Sequence, residues 1–383
     1  MKRFFAIFLL LFFAAAAHAQ LRGAWIASVR NIDWPSSQNL SAREQQQELG
    51  KMLDGLKELG ISDVFLQVRP DAAVLWPSDL EPYSSFLTGV CGKDPGYDPL
   101  AFAVKQAHMR GLKLHAWFNP YRAKDKGSAP LCKNHPAVKH PAWVIPYGEE
   151  LIFDPGNPAA QKHIIKIIMQ AVKKYDIDGV HLDDYFYPYP VARLPFNDDK
   201  TYKKYAKKNQ SLQDWRRENI NNFIRSLRRA VKKAKPGIAF GISPFGIWCN
   251  AAACEGGSAT RGLSANTNIY ADSRLWLREG LLDYIIPQLY WPIGFKAAPH
   301  EVLLDWWSKE VRAANNGTKF YVGVGLYQFA AGMWSDEDEL LKQAALAQTA
   351  GNVEGFVYFS AKDILSNKRG AKKIIASLNN TAL

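Results

Sequence analysis

Two adjacent carboxylates stand at the end of a strand-like run. Residues 178–188 read Asp-Gly-Val-His-Leu-Asp-Asp-Tyr-Phe-Tyr-Pro, and the alternating small and branched apolar residues predict a β-strand that ends in Asp183 and Asp184. An ionised carboxylate is costly to bury unless it is paired, so this pair does not suit a strand interior. At the carboxyl end of a β/α-barrel strand, it would face the surface where such barrels carry out their chemistry. We therefore predict that Asp183 carries a reaction.

Pairs of carboxyl groups are typical of enzymes that hydrolyse glycosidic bonds. One group protonates the leaving oxygen, and the other attacks the anomeric carbon or activates water from the opposite side. Asp183 shares a strand face with His181, so we expect it to point into the barrel mouth as nucleophile or base. Asp184 is expected to turn towards a neighbouring strand or loop and is a secondary candidate. The alternative for Asp183 is that it only hydrogen-bonds a sugar or pairs with Arg69.

The sequence defines the second catalytic carboxyl group less well. Acidic residues in the loops expected at the catalytic face are Asp33, Asp71, Glu149, Glu150, Asp154, Glu255 and Asp272. Asp154 and Asp272 come just before predicted helices and are explained as helix caps. Glu255 is the first choice for the acid because a disulfide would tether its loop, and Asp71 is the second choice.

Eight strand-like runs alternate with helical patterns along the chain. They cover residues 21–28, 63–70, 113–120, 179–186, 238–245, 284–291, 319–327 and 355–361. Alternation of strand and helix favours a parallel sheet, and eight units favour its closure. The long connections follow the second to fifth strands, on the side where barrel enzymes carry their sites. The sequence therefore predicts an α/β fold, a (β/α)8 TIM barrel with long βα loops on the catalytic face.

Polar and aromatic residues gather at the carboxyl ends of these strands, which predicts a ligand site. The residues expected to bind substrate are Arg69, Trp117, Asn119, Tyr121, Arg122, His181, Tyr185, Tyr187, Gln288, Tyr290, Trp291 and Tyr327. The aromatic rings would pack on the C–H faces of sugars, and the arginines would hold hydroxyl groups or a carboxylate. The alternative explanation for Gln67 and His115 is that they are polar groups of the barrel interior whose hydrogen bonds are made within the protein. Ordinary burial is the explanation we favour for Trp25, Trp215 and Trp276.

Other chemistries lack the residues that they need. The first strand has no paired histidines for a metal-dependent hydrolase, no Gly-rich phosphate turn follows the last two strands, and neither a Schiff-base lysine nor a dinucleotide fingerprint is found. We therefore expect no cofactor and no metal. The formal net charge is +12, but no recognition motif accompanies it, so we expect no nucleic-acid partner.

The N-terminal residues predict a secretory signal peptide. Lys2 and Arg3 precede an apolar run over residues 4–13 and a small-residue cleavage pattern at residues 17–19. The run is too short to span a bilayer. We expect a signal peptide over 1–19, a single catalytic domain over 20–383, no lipid anchor, no stable membrane insertion after cleavage, and a periplasmic or secreted location. An uncleaved N-terminal anchor is the alternative.

Export favours disulfide bonds between the four cysteines. Four cysteines allow three pairings, and the sequence alone does not decide between them. We favour Cys249–Cys254 within one loop and Cys91–Cys132 between two loops. No histidine accompanies them at zinc-site spacing. The sequence does not indicate an oligomeric state.

Several motifs in order resemble one known family. They are Leu21-Arg22-Gly23-Ala24-Trp25, Gln67-Val68-Arg69-Pro70, and residues 115–122, 154–158, 179–188 and 287–291. Over nearly the whole chain after residue 19, they resemble the glycosyl-hydrolase-like family 10, formerly a domain of unknown function. The resemblance implies an exported bacterial (β/α)8 glycoside hydrolase. A member of this family is associated with cutting peptidoglycan glycan strands stripped of their stem peptides, which makes such strands the leading substrate.

The fourth-strand motif at residues 179–183 also resembles that of α-amylase-like barrels, which implies a nucleophile at Asp183. The fifth-strand glutamate acid of that pattern is missing, because Ser243-Pro244-Phe245 stands in its place. The acid must therefore come from elsewhere. The expected function is cleavage of glycosidic bonds in an envelope polysaccharide. The alternatives are a non-catalytic barrel that binds glycan and a hydrolase of another exported polysaccharide.

Overall fold

The computed structural model describes residues 20–380, so the predicted signal peptide over residues 1–19 lies outside the described residues. The strands are β1 (Leu21–Ile26), β2 (Asp63–Arg69), β3 (Lys113–Phe118), β4 (Arg122–Lys124), β5 (Val144–Tyr147), β6 (Glu150–Phe153), β7 (Gly179–Leu182), β8 (Ala239–Ile242), β9 (Tyr284–Ile285), β10 (Lys319–Phe320), β11 (Val322–Val324) and β12 (Gly355–Tyr358). The helices are α1 (Ala42–Glu58), α2 (Ser85–Thr88), α3 (Pro99–Met109), α4 (Pro136–Lys139), α5 (Pro158–Lys174), α6 (Asp199–Tyr205), α7 (Leu212–Ala234), α8 (Ala265–Asn268), α9 (Ser273–Arg278), α10 (His300–Ala314), α11 (Leu326–Ala330), α12 (Glu339–Ala350), α13 (Ala361–Ser366) and α14 (Ala371–Asn380).

Nine strands of the described chain form one parallel sheet whose two ends meet. The strand order is β10-β9-β8-β7-β3-β2-β1-β12-β11, and all neighbouring strands are parallel. The two outermost strands of this order, β10 and β11, are consecutive segments of one run, separated only by Tyr321. The sheet therefore forms a ring of eight strand positions, and the predicted (β/α)8 barrel is confirmed.

All eight predicted strand runs are present, but several end earlier than predicted. β7 ends at Leu182, whose carbonyl accepts a hydrogen bond from the Ser243 N–H over 2.9 Å. β9 is short because Pro287 has no N–H with which to continue the ladder. The end of the seventh predicted strand is instead helix α11. Beyond the short strands the pairing continues as isolated bridges, such as those of Gln288 with Phe245 and Gly323, and Gln288 and Phe245 line the barrel mouth.

Aromatic and imidazole rings fill the inside of the barrel. Phe65 stacks on His115 with ring centroids 4.5 Å apart, and His181 stacks on Tyr284 at 5.9 Å. The Tyr284 hydroxyl lies 3.1 Å from the Nδ1 atom of each histidine. A Cβ atom at Gly241 would lie 2.1 Å from the Tyr284 ring, so only glycine leaves room for this packing. The barrel interior is thus a packed polar and aromatic floor beneath the mouth.

The outer strand faces pack on the surrounding helices. Val64, Leu66 and Val68 of β2 are buried in the large core between sheet and helices, as their alternation predicts. Helix α7 buries one apolar face and exposes a basic one, which is typical of an amphipathic helix at the barrel surface. None of the helices within residues 20–380 has the length and hydropathy of a membrane span.

The connections at the carboxyl ends of the strands carry additional structure. The connection after β3 contains an antiparallel sheet in the order β4-β6-β5, which the sequence did not predict. Both favoured disulfides are present. Cys91–Cys132 joins the connections after β2 and β3, and Cys249–Cys254 closes a small loop after β8. These elements hold the long loops on one end of the barrel.

Candidate active site

A cavity of about 380 Å³ opens at the carboxyl ends of the barrel strands, where barrel enzymes place their sites. Its lining residues are Trp25, Val29, Arg30, Ile32, Gln67, Trp117, Arg122, Asp125, Asp183, Asp184, Tyr185, Tyr189, Ser243, Phe245, Gln288, Tyr290, Tyr327 and Phe359. A second cavity of about 360 Å³ adjoins the first. Arg30, Arg122, Tyr185 and Tyr189 line both cavities. The two cavities therefore form one site with two compartments.

Asp183 is the first residue after β7, and three donors hold its carboxylate. Trp117 Nε1 and Asn119 Nδ2 donate hydrogen bonds to its Oδ2 atom over 2.9 and 3.2 Å. The backbone N–H of Tyr185 donates to Oδ1 over 3.1 Å. Only 4% of the residue is exposed, so the group that faces the cavity is fixed in orientation.

Asp184 lies beside Asp183 in the same cavity, although we predicted that it turns towards a neighbouring strand or loop. Gln288 Nε2 donates to its Oδ1 atom over 3.1 Å, and the Tyr189 hydroxyl donates to Oδ2. The difference arises because pairing of β7 ends at Leu182, after which side chains no longer alternate between the two faces. We call Asp183 and Asp184 the carboxyl pair.

The two members of the carboxyl pair differ in proton affinity. Burial raises the pKa of Asp183, while the charge of Arg122 and the hydrogen bond from Trp117 act against that increase. Burial also raises the pKa of Asp184, and the neighbouring Asp183 carboxylate raises it further, to about 7. Like charges this close do not ionise together readily. Of the two, Asp184 therefore holds a proton more readily, and Asp183 is the member whose charged form is favoured by Arg122 and by its hydrogen-bond donors.

A cluster of charges lies between the two compartments. Arg30 Nε and Nη2 each donate to the Asp125 carboxylate over 2.7 Å. Despite burial, which alone would raise it, the pKa of Asp125 is lowered by this contact. Arg122 Nε lies 3.8 Å from Asp125 and 3.7 Å from Glu150. Its guanidinium also lies over the Tyr185 ring, 4.4 Å from the centroid. The cluster places fixed positive charge beside the carboxyl pair.

Aromatic rings form the wall across from the carboxyl pair. Trp25 on β1, Phe359 after β12 and Tyr327 after β11 come from the strands on the far side of the ring from β7. Phe359 contacts both other rings, with centroids 6.2 Å from Trp25 and 6.0 Å from Tyr327. Tyr290 lies next to them, and its hydroxyl makes no hydrogen bond to any described residue. Such walls suit the C–H faces of a sugar ring, and the free hydroxyl suits a polar substituent.

Most of the predicted site residues contribute to the two compartments. Those that line the first are Trp117, Arg122, Asp183, Asp184, Tyr185, Gln288, Tyr290 and Tyr327, and Tyr121 and Tyr187 line the second. Asn119 and His181 are fully buried behind these. His181 Nε2 accepts from Trp25 Nε1 over 3.2 Å, and burial lowers its pKa well below the usual value. The neutral His181 thus supports the cavity floor.

Besides Asn119 and His181, four predicted site residues line neither compartment: Arg69, Asp71, Glu255 and Trp291. Asp71 is buried, accepts a hydrogen bond from the Ser128 hydroxyl, and has a pKa raised by burial to about 6. The Glu255 side chain is exposed on the loop that the second disulfide closes. Trp291 packs edge-on against Phe245, with centroids 5.6 Å apart. The disulfide in the loop of Glu255 and the strand-end positions of the other residues therefore did not predict the direction in which these side chains point.

The remaining acidic candidates are held in different ways. Asp33 accepts hydrogen bonds from two backbone N–H groups and a serine hydroxyl, and it lies outside both compartments. Asp272 caps α9, as predicted. Asp154 accepts from a backbone N–H and a threonine hydroxyl. Glu149 and Glu150 line the second compartment. Within residues 20–380, no three His, Cys, Asp or Glu side chains are grouped so that they could hold a metal ion.

Arg69 is part of the scaffold behind the site. It is fully buried, and it makes a bidentate ion pair with the equally buried Glu81, with contacts of 2.8 and 2.7 Å. Its Nη1 atom donates to the carbonyl oxygens of Asn119 and Pro120. Burial would raise the pKa of Glu81, but the Arg69 charge holds it at about 2. Arg69 therefore orders the backbone from which Asn119 reaches the carboxyl pair.

Arg69→Met is expected to lower the free energy of unfolding by about 3–5 kcal/mol, because it removes the arginine charge from the buried Glu81 carboxylate and leaves that carboxylate with the His163 imidazole, 3.0 Å away. Arg225→Met is the matched control, since it removes a partly exposed pair with Glu279 that is worth about 0–1 kcal/mol. Urea unfolding at neutral pH measures both changes. Equal small losses in the two variants would contradict the structural role of Arg69.

Several lining residues were missed by the sequence analysis. Those not considered as site residues are Val29, Arg30, Ile32, Asp125, Tyr189, Phe245 and Phe359. Three others were considered under another explanation: Ser243 as the position of the missing glutamate, Gln67 as a hydrogen-bonded group of the barrel interior, and Trp25 as an ordinary buried residue. Tyr189 had a usable signal, because it continues the aromatic run that begins at Tyr185. Arg30 and Asp125 had none, since their contact joins residues 95 positions apart in sequence.

Comparison with known proteins identifies the family to which the chain belongs. Residues 20–339 match the model of a family described as Glycosyl hydrolase-like 10. The chain belongs to this family. It is 46% identical over 370 residues to glycosyl hydrolase YngK of Bacillus subtilis, which covers 95% of this chain and 72% of that protein. It is 41% identical over 365 residues to glycosyl hydrolase DigH of Escherichia coli K12, which covers 88% of this chain and 82% of that protein.

Solved structures support the same fold for this family member. The glycoside hydrolase domain of PgaB (BpsB) from Bordetella bronchiseptica matches with a TM-score of 0.60 at 15% identity, over 93% of this chain and 98% of that one. The catalytic domain of β-amylase from Paenibacillus polymyxa matches with a TM-score of 0.60 at 11% identity, over 96% and 100%. At these identities the likeness concerns the fold alone. The family assignment and the two glycosyl hydrolase relatives confirm the predicted class of enzyme, a glycoside hydrolase.

Proposed function

We propose that this glycoside hydrolase cleaves an envelope polysaccharide, most specifically peptidoglycan glycan strands, and that the carboxyl pair carries the reaction. The observation that supports this most strongly is the carboxyl pair itself. Two buried acidic groups face one cavity at the barrel mouth, and their environments favour the proton on Asp184 and the charge on Asp183. Glycosidic hydrolysis requires these two states together.

In this proposal, Asp184 is the acid. With a pKa raised to about 7, it keeps a proton up to about neutral pH and can pass it to the leaving sugar oxygen. Asp183 is the anion that supports the positive charge developing at the anomeric carbon. Its three hydrogen-bond donors fix it in advance, so no reorganisation is needed as the bond breaks. Neither Glu255 nor Asp71 has a part in this mechanism.

The shape of the site supports a polymeric substrate. Two compartments of about 380 and 360 Å³ adjoin each other, which gives room for sugars on both sides of the scissile bond. Tyr185 and Tyr189 line both compartments and offer aromatic faces to a chain that passes through. The motif resemblance described above is what favours stripped peptidoglycan strands among such polymers.

Export to the periplasm or beyond is part of the proposal. The signal-peptide pattern over residues 1–19 supports it, as do the two disulfides, which persist in oxidising compartments. We propose that the remaining chain works as a single catalytic domain. Its substrate would then meet it outside the cytoplasm.

Reducing-end release tests the function directly. Purified protein is incubated with glycan strands from which an amidase has removed the stem peptides, and with soluble chitin and cellulose oligomers for comparison. The proposal expects new reducing ends from the stripped strands. Binding to those strands without release would favour the non-catalytic barrel instead, and release only from another polymer would replace the substrate.

The pH dependence of kcat/KM is expected to have two limbs. On the alkaline side, the rate should fall as pH rises through about 7, because Asp184 loses the proton that it must donate. On the acidic side, the rate should fall as Asp183 gains a proton and the cavity loses its anion. Initial rates on stripped strands from acidic to alkaline pH measure both limbs. A rate that stays constant well above neutral pH would exclude Asp184 as the acid.

A further inference from the structure

Both members of the carboxyl pair lie on the same wall of the cavity. They are consecutive residues after β7, whereas the far wall consists of Trp25, Tyr327 and Phe359. Among the described residues, no unengaged carboxyl group lines that far wall. Asp33, in the loop after β1, lines neither compartment and already accepts hydrogen bonds of 2.7, 2.6 and 2.8 Å.

Asp125, the other carboxylate that lines this compartment, is also unavailable. It is fully buried and receives two 2.7 Å hydrogen bonds from Arg30, which leaves it as the counter-ion of the arginine cluster. It comes from the connection after β3, the barrel neighbour of β7, so it does not stand across the cavity from the carboxyl pair. The far side of the anomeric carbon would therefore face aromatic rings.

This arrangement does not suit the usual mechanisms with two protein carboxyl groups. Those mechanisms place the groups on opposite sides of the anomeric carbon, about 5–5.5 Å apart for retention and about 6.5–9.5 Å apart for inversion. Two neighbouring carboxyl groups on one wall can protonate the leaving oxygen and contact one substituent next to the anomeric carbon. They place no group on the opposite side of that carbon, from which a nucleophile would attack. Glu149 and Glu150 belong to the second compartment, so no carboxyl group of the first compartment fills the attacking position, and the substrate itself is the source of a nucleophile that fits there.

We infer that the substrate supplies the nucleophile, as the carbonyl oxygen of a 2-acetamido group on the sugar whose glycosidic bond is cut. The inference rests on the proposed function and narrows its substrate to glycans of 2-acetamido-2-deoxy sugars. The acetamido group is attached next to the anomeric carbon, so it can attack as an intramolecular partner. Asp183 holds the acetamide N–H, and Asp184 serves the leaving oxygen.

The first step is balanced as follows. The acetamido carbonyl oxygen forms a bond to the anomeric carbon as the bond from that carbon to the leaving oxygen breaks. The leaving oxygen keeps the bonding electron pair and takes the proton of Asp184. The product is a cyclic oxazolinium ion, whose N–H faces the Asp183 carboxylate and whose positive charge that carboxylate stabilises.

The second step reverses the first with water. Water attacks the anomeric carbon and gives a proton to the Asp184 carboxylate, while the electron pair of the breaking carbon–oxygen bond returns to the acetamide carbonyl. Asp184 is protonated again, the acetamido group is restored, and two inversions give net retention of configuration. No further reactant is needed.

The first compartment has features that suit an acetamido group. The Asp183 carboxylate retains acceptor capacity at Oδ1, which receives only the Tyr185 backbone N–H among the described residues. The Tyr290 hydroxyl has no partner in the described chain and belongs to the same compartment. It can therefore donate to the acetamide oxygen, and the neighbouring aromatic rings can cover the methyl group. These groups position the nucleophile that the protein itself lacks.

The test uses wild-type protein and four forms of stripped glycan. The strands are de-N-acetylated and then re-acylated with acetyl, fluoroacetyl, difluoroacetyl or trifluoroacetyl groups, which keep nearly the same size but make the carbonyl oxygen progressively less nucleophilic. We expect kcat/KM to fall steadily, by roughly 10²-fold or more across the series, since the attacking group contributes as an intramolecular nucleophile. Anomer-resolved NMR of the first product should show retention.

The outcomes separate the inference from the proposed function. Equal rates for all four forms, or inversion, would overturn the inference and leave the hydrolase standing. Cleavage of none of the four, including the re-acetylated form, would overturn both. A thiazoline analogue of the cyclic intermediate gives a second readout, because it should compete with substrate if the intermediate forms, and failure to compete at any soluble concentration would count against it.

Discussion

Asp184→Asn is expected to lower kcat on stripped glycan strands by about 10²–10⁴-fold, the range that general acid catalysis supplies. The amide keeps the shape of the carboxyl group: its oxygen can still accept from Gln288, and its NH2 group can donate to the Tyr189 hydroxyl oxygen. It has no proton acidic enough for a leaving sugar oxygen. In the native protein, burial and the charge of Asp183 raise the pKa of Asp184 to about 7, so the proton is retained up to about neutral pH. Rates of reducing-end release measure the difference.

A good leaving group provides the control for this variant. A nitrophenyl glycoside departs without protonation, so Asp184→Asn should lose far less activity on it than on the glycan. Asp305→Asn makes the same substitution at an exposed residue of α10 that pairs with Lys309, and it should behave as wild type. An equal loss on both substrates would contradict the assignment of Asp184 as the acid.

Asp183→Asn is expected to lower kcat by about 10²–10³-fold on the glycan and on the nitrophenyl glycoside alike. The reason is that Asp183 supports the charge that develops on the sugar, and that charge develops whatever the leaving group is. The same assays measure it. A loss restricted to the poor leaving group would exchange the roles of the two residues.

Neither substitution is expected to unfold the protein. Burial raises both pKa values, so the ionised pair costs the folded state free energy, and this cost appears as pH rises through the folded pKa values. A neutral amide removes that cost. Thermal unfolding above neutral pH should therefore give a Tm equal to or above that of the wild type, and a clearly lower Tm would require the activity losses to be reassigned to folding.

The sequence predicted the barrel, and it named both members of the carboxyl pair as candidates, for a simple reason. Local sequence patterns indicate where the strands lie. Acidic residues that directly follow a strand are therefore expected at the barrel mouth. Asp183, Gln288 and Tyr290 all lie within a few residues of a strand end and all reach the cavity. For these three residues, the position near a strand end was enough to predict that they reach the cavity.

The orientation of side chains beyond the last paired residue could not be predicted in the same way. Alternation stops with the sheet, so Asp184 lines the cavity although it follows Asp183 directly. Arg69 points away from the cavity because it pairs with Glu81, which lies in the loop after β2. Such a pairing between a strand end and a loop gives no periodic pattern in the sequence. Glu255 shows that a loop tether restrains the backbone without directing the side chain. Tertiary contacts decided each of these cases.

The early ends of the strands also have a local cause that the sequence did contain. Pro287 interrupts the sixth predicted strand, and proline cannot donate to a ladder. The seventh run changes to helix α11 two residues after β11 ends. In both places, the chain leaves the sheet early and brings Gln288, Tyr290 and Tyr327 into the mouth.

Incorporation of oxygen-18 from water is the most direct test of hydrolysis by the carboxyl pair. Stripped glycan strands are digested in labelled water with wild-type protein and with the Asp183→Asn and Asp184→Asn variants, and the new chain ends are analysed by mass spectrometry. We expect one labelled oxygen at each new reducing end with wild-type protein and almost no new ends with either variant. Unlabelled anhydro ends, or labelled ends formed equally fast by both variants, would contradict the mechanism.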